Sequence, residues 1–149
     1  MPVEEISQYN KLLSTVNCCL TESQYKSCEK SKEFFKEAKT ILERERISVL
    51  RIADYNTKGL IGPCEPGKPF HSLVKATGVS IKDNDASGGS FGIGKNAVFA
   101  ISDLRTVFYS TKYNGEDERL SYLMQGKSIL ISHEDDDGKS KRSIVYWGE

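Results

Sequence analysis

Asp54 closes a β-branched run, Ile47-Ser-Val-Leu-Arg-Ile-Ala53, and Gly59 follows it five residues on. A carboxylate at a strand end can accept a hydrogen bond from an exocyclic amine, and a nearby glycine lets the backbone approach a planar ring closely. A strand-ending Asp also serves simply as a turn or cap residue. About thirty residues later comes Gly88-Gly89-Ser90-Phe91-Gly92-Ile93-Gly94-Lys95, which opens onto Asn96 and the apolar stretch Ala97-Val-Phe-Ala-Ile101. That stretch predicts a helix. Glycine-rich backbone at a helix N-terminus offers unpaired N–H groups and the positive end of the dipole. Lys95 adds a mobile cation. The combination suits a polyphosphate, and its plain alternative is a glycine loop with no ligand.

Other motifs fit less well. Gly89, Gly94 and Lys95 have the spacing of a Walker A loop, but Asn96 stands where that motif requires Ser or Thr. No apolar strand leads into the glycines, because Lys82 to Ser87 is polar, which also argues against a Rossmann fingerprint. Cys28, Cys64, His71 and His133 match no common zinc spacing. The run His133-Glu-Asp-Asp-Asp-Gly lacks the alternating oxygen ligands and distal Glu of a calcium loop and reads as a solvated turn. Phe99, Phe108, Tyr109, Tyr146 and Trp147 read as core and sheet packing rather than a base-stacking platform.

The elements that must hold these residues are legible from periodicity. Residues 1–46 contain no Gly and predict helices, one around Glu4 to Leu20 and one within Ser23 to Arg46. In the second, Phe34/Phe35, Ala38 and Ile41/Leu42 recur at three to four residues, the period of one helix face. Ile47 to Ala53 predicts a buried strand. Gly62 to Pro69 reads as a loop and Phe70 to Thr77 as a short helix ended by Gly78. Leu104 to Thr111, Lys127 to Ser132 and Ser143 to Trp147 predict three strands, with a charged hairpin loop, His133 to Arg142, between the last two. Helices, a strand, long loops, a helix and a β-meander predict an α+β two-layer sandwich, a mixed sheet covered by helices on one face.

Composition narrows the classes. The chain has 149 residues, the size of one domain. It carries 21 basic and 21 acidic residues, so a binder of nucleic acid by bulk charge is not indicated. No apolar run approaches the roughly 20 residues of a membrane helix, and MPVEEISQYNK lacks the regions of a signal peptide. Cys18, Cys19, Cys28 and Cys64 form no C-x-x-C pair and read as reduced thiols of a cytoplasmic protein.

The two glycine-containing motifs in this order resemble the GHKL (histidine-kinase-like) ATPase superfamily. Asp54-Tyr-Asn56-Thr-Lys-Gly59-Leu60 is similar to its first glycine box, and Gly89-Ser-Phe91-Gly92-Ile-Gly94 to its second, in the chaperone form G-x-F-G-V-G. Lys95-Asn96-Ala97 and the strand from Leu104 look like bacterial ATP-binding members. The resemblance covers roughly Ile47 to Trp147. It implies a Bergerat-type sandwich, with ATP as ligand and Mg²⁺ as its usual companion. It implies that Asp54 binds the adenine amine and that Asn56 and Gly59 shape the base pocket. Gly88, Gly89, Ser90, Phe91, Gly92, Ile93 and Gly94 would cradle phosphates through backbone N–H groups, and Lys95 would pair with a phosphate oxygen. The family's N-box, a Glu and an Asn four residues apart on one helix face, has no counterpart. Glu4 and Glu5 are spaced wrongly from Asn10, and Leu13 stands four residues before Asn17. The family's final strand is also missing after Trp147. The resemblance therefore implies an incomplete domain over residues 1–149, completed by a further segment or another chain. It implies slow hydrolysis at best, and it leaves a non-catalytic regulatory or interaction module as the alternative. A histidine-kinase domain fits less well, because Tyr55-Asn56-Thr57 interrupts the D-x-G-x-G pattern.

Overall fold

The computed structural model describes residues 1–76, 94–115 and 119–148. The class is mixed α+β. A 3-10 turn (Val3–Glu5) and four α-helices are described, α1 (Tyr9–Tyr25), α2 (Glu29–Leu42), α3 (Pro69–Val74) and α4 (Gly94–Ala100). The five described strands are β1 (Thr106–Asn114), β2 (Leu120–Ile129), β3 (His133–Glu134), β4 (Ser140–Lys141) and β5 (Ile144–Trp147). One sheet has the order β1-β2-β5, and β3 pairs with β4 as a separate antiparallel hairpin. The chain divides into two compact units. A helical unit joins residues 1–52 to residues 128–148, and a strand unit spans residues 53–127.

In the helical unit, α1 buries Leu12, Val16, Cys19 and Ser23, the i, i+4, i+7, i+11 positions of one face. The α2 helix buries Phe35, Ala38, Ile41 and Leu42, the face that its periodicity marks. The α1 C-terminus closes with a Schellman pattern. Cys28 N–H donates to Ser23 C=O at 3.4 Å and Ser27 N–H to Gln24 C=O at 3.3 Å, with Ser27 at φ 50°. The Tyr9 hydroxyl donates to Leu42 C=O at 2.9 Å, tying the start of α1 to the end of α2.

The expected strand Ile47 to Ala53 is a correction. Among the described residues only its beginning is paired. Pro2 bridges Arg46, and Met1 and Ile47 exchange two hydrogen bonds of 3.0 and 3.1 Å. Beyond that bridge no described strand lies alongside, and Val49, Leu50 and Ile52 are 59%, 71% and 75% exposed. Strand propensity expresses fit to a pleated, half-buried surface, so β-branched residues form a strand only where a neighbour supplies that surface. Conversely, β2 begins seven residues before the predicted Lys127, as the residue numbers show. Leu120, Tyr122, Leu123 and Met124 are apolar on both faces, so the alternation that marks a strand is absent there.

The acidic run His133 to Arg142 forms the β3–β4 hairpin. The Asp135 carboxylate accepts from Asp137 N–H at 3.1 Å and Lys139 N–H at 2.8 Å, and pairs with Lys141 at 2.9 Å. The Lys141 hydrogen bond, with those backbone donors, holds its pKa below the usual carboxylate range. The loop's first carboxylate is thus occupied by its own turn. Among the described residues, no helix is long and apolar enough to cross a membrane.

Trp147, the single Trp of the chain, is fully buried, and its indole N–H donates to the buried Ser128 hydroxyl at 2.6 Å. Ser128→Ala removes that buried acceptor. The expected cost is about 1–3 kcal/mol, measured as a lowered midpoint of urea unfolding followed by Trp147 fluorescence.

Candidate nucleotide site

The strand unit is built on β1. Gly59 lies against it with φ +71°. A Cβ on Gly59 would stand 2.0 Å from the Lys112 carbonyl oxygen and 3.1 Å from Thr111 Oγ1. No side chain fits there. Glycine therefore does two things at this position: it adopts the left-handed conformation and it brings one backbone onto another. The next residue is part of the same docking, since Leu60 N–H donates to Thr111 Oγ1 at 2.8 Å. Further along, a Cβ on Gly62 would meet Leu123 Cδ1 at 2.0 Å and Tyr113 Oη at 3.0 Å. Ile61 C=O then accepts from Phe70 N–H at 3.2 Å, which seats α3 with Phe70 and Val74 buried.

Asp54 and Asn56 precede this docked stretch. Both are exposed, and Asn56 takes a left-handed φ of 58°, which asparagine tolerates well. Among the described residues no hydrogen bond or ion pair occupies the Asp54 carboxylate. The adjacent Tyr55 is 74% exposed. The structure thus brings Asp54, Asn56 and Gly59 onto one segment that runs onto β1, with Asp54 at the surface rather than at the end of a buried strand.

Of the second motif, Gly88, Gly89, Ser90, Phe91, Gly92 and Ile93 lie outside the described residues. Gly94 and Lys95 form the first turn of α4. This helix packs beside β1 and turns directly into it. Ser102 holds that turn. Its hydroxyl donates to Thr106 C=O at 3.0 Å and accepts from Thr106 N–H at 3.1 Å, while Arg105 sits at φ 44°. One strand therefore anchors the end of the first motif and the helix that the second motif opens. Thr111 and Lys112, which receive Gly59, carried no signal in the sequence, because their role arises from backbone contact across 51 to 53 residues.

The helical unit holds a second cluster that sequence reading also missed. Cys19, fully buried, lies with Sγ 3.4 Å from His133 Nδ1. His133 Nδ1 is 3.0 Å from Ile131 C=O, an acceptor only, so this nitrogen carries the proton. Burial pushes the Cys19 thiol up to about 12. A thiol kept protonated is neither a nucleophile nor a metal ligand. Beside it, Asp136 accepts hydrogen bonds from Ser14 and from Cys18, whose pKa burial and the neighbouring carboxylate both raise. These contacts pin the β3–β4 hairpin to α1. Among the described residues no three His, Cys, Asp or Glu side chains stand together as a metal site requires.

Compared with family models, curated proteins and solved structures, the chain matches none.

Two measurements check this geometry. Gly59→Ala meets a rigid backbone carbonyl in a left-handed conformation and is expected to cost about 2–5 kcal/mol in urea unfolding. Gly67→Ala, at φ +88° with open space around it, should lose only the conformational part, about 1 kcal/mol. For the thiols, exposed Cys28 has its pKa lowered by the Ser31 hydroxyl 3.1 Å away. Iodoacetamide should label Cys28 at a lower pH than an ordinary thiol and label Cys19 last, read by peptide mass spectrometry across pH 6 to 9 (about the range in which thiolates appear).

Proposed function

We propose that this chain binds ATP as a GHKL-type domain, with the sheet covered by helices on one face, and that it forms part of an ATPase. The observation that carries the reading is the ordered pair of motifs, Asp54 to Leu60 and Gly88 to Lys95. Two features of the strand unit support it. The Asp54 carboxylate has no competing partner among the described residues, and β1 carries both the Gly59 contact and α4. Asp54 accepts the hydrogen bond of the adenine amine. Asn56 and Gly59 form the floor of the base pocket. Backbone N–H groups of Gly88 to Gly94, with the positive end of α4, receive phosphate oxygens, and Lys95 neutralises them.

The donor set does not fit Mg²⁺. No Glu and Asn stand four residues apart on a helix before Asp54, so water has no base and the cation no anchor in this chain. No hydrolytic step is assigned to it. That same absence favours a second reading, a regulatory or interaction module that no longer turns over nucleotide. A further segment or a second protein chain supplies the missing part in the first reading. The exposed apolar residues Val49, Leu50 and Ile52 are consistent with such completion. All four cysteines are free, in keeping with a cytoplasmic protein.

Calorimetry with ATP and with ADP tests the reading, using Asp54→Asn as control. Asn offers one acceptor oxygen and no charge, so binding should weaken roughly 10- to 100-fold. A folded wild-type chain that takes up no heat with either nucleotide refutes ATP binding by this chain.

A further inference from the structure

We propose that the open face of the β1–β2 hairpin docks an amphipathic helix of another protein, one that carries an acidic residue beside its apolar stripe. The inference stands apart from the nucleotide reading. Gly115 N–H donates to Arg119 C=O at 2.8 Å, so β1 and β2 run as a hairpin. Its two faces differ. The odd-numbered residues meet the segment that Gly59 begins: Leu60 N–H bonds to Thr111 Oγ1, and Gly62 packs on Leu123 and Tyr113. The even-numbered residues turn the other way and are exposed, Phe108, Ser110, Lys112 and Asn114 on β1 and Leu120, Tyr122 and Met124 on β2. Phe108, Leu120, Tyr122 and Met124 are 38%, 52%, 68% and 52% exposed. A sheet face that meets only water is ordinarily polar. Here large apolar side chains hold most of the outward positions, and contiguous apolar surface of this kind marks an interaction site.

The chemistry of the face selects its occupant. Tyr, Phe and Met enrich the centre of protein interfaces, where charged groups are scarce. Lys112 is the one cation among these residues, with Nζ 5.3 Å from the Tyr122 ring centroid, and none of them is acidic. A second copy stacked on the same face would turn one Lys112 towards another with no carboxylate between them. A single-stranded nucleic acid draws its affinity from many phosphate contacts, and a lone lysine supplies one. A protein surface with a carboxylate set among apolar side chains matches both the apolar groups and the charge. From Phe108 to Asn114 the face runs about 20 Å, and its two strands lie about 5 Å apart. One helix, roughly 10–12 Å across, spans that width, and about 13 residues of it span the length.

The charge supplies the test. A phage-displayed library of amphipathic helices, with apolar residues fixed at i, i+3, i+4 and i+7 and the flanking positions varied, is panned on the whole wild-type chain. Selected helices should carry Asp or Glu at a flanking position. As synthetic peptides they should bind the wild-type chain in fluorescence anisotropy and lose about tenfold or more in affinity with Tyr122→Ser or Met124→Gln. Both changes fall on exposed side chains, and circular dichroism checks that each variant folds. Panning on Lys112→Glu should return Lys or Arg at the same flanking positions. No selected helix, selection without acidic enrichment, or peptides that both variants bind unchanged overturns the proposal. A concentration-dependent dimer that Tyr122→Ser dissolves assigns the face to a second copy, and a thymidine oligonucleotide whose binding Tyr122→Ser abolishes assigns it to nucleic acid. Either result also overturns the proposal.

Discussion

The strand unit depends on the meeting of two backbones at Gly59 and Lys112. A Cβ there would stand 2.0 Å from a carbonyl oxygen, so this packing exists only because residue 59 is glycine. The segment C-terminal to Gly59 takes its place from this contact. Leu60 bonds to Thr111, Ile61 receives Phe70, and α3 is seated with Val74 reaching the Lys127 ammonium. The N-terminal side depends on it too, because Asp54 and Asn56 are carried a few residues upstream of the docked point. The helical unit rests on a different device. Its two helices bury complementary stripes, and Tyr9 fastens the start of one to the end of the other.

Local physics made much of this fold legible. The α2 face could be read from Phe35, Ala38, Ile41 and Leu42, since a helix records its buried side at intervals of three and four. Ile144 to Trp147 sat within a short β-branched and aromatic run bounded by polar residues, and it forms β5. Ile47 to Ala53 has the same composition, and beyond Ile47 no described strand pairs with it. The difference lies in the neighbour, which no local pattern encodes. The start of β2 escaped for the opposite reason. It has strand neighbours, but Leu120, Tyr122 and Met124 present apolar groups to the exposed side and blur the period of two.

The candidate site divides along the same line. Asp54, Gly59 and the glycines from Gly88 to Gly94 were singled out because their types and order resemble known glycine boxes, and Gly88 to Ile93 lie outside the described residues. The structure adds a reason for Gly59 that the resemblance does not contain, a backbone contact with β1. Thr111 and Lys112 were invisible, since nothing near them in sequence foretells a partner 51 to 53 residues away. The Cys19–His133 pair shows the hazard of reading residue types alone. A cysteine beside a histidine suggests a nucleophile or a metal ligand, yet burial keeps this thiol protonated and the imidazole is turned to a backbone carbonyl.

The central claim is that the two motifs form one nucleotide site. Amide hydrogen exchange with and without ATP tests it most directly, because it reads both segments in one experiment. The account predicts that peptides covering residues 54–62 and 88–95 gain protection together at the same ATP concentration, while α1 and α2 are unchanged. Protection confined to one segment, or to neither while ATP is in large excess, contradicts it.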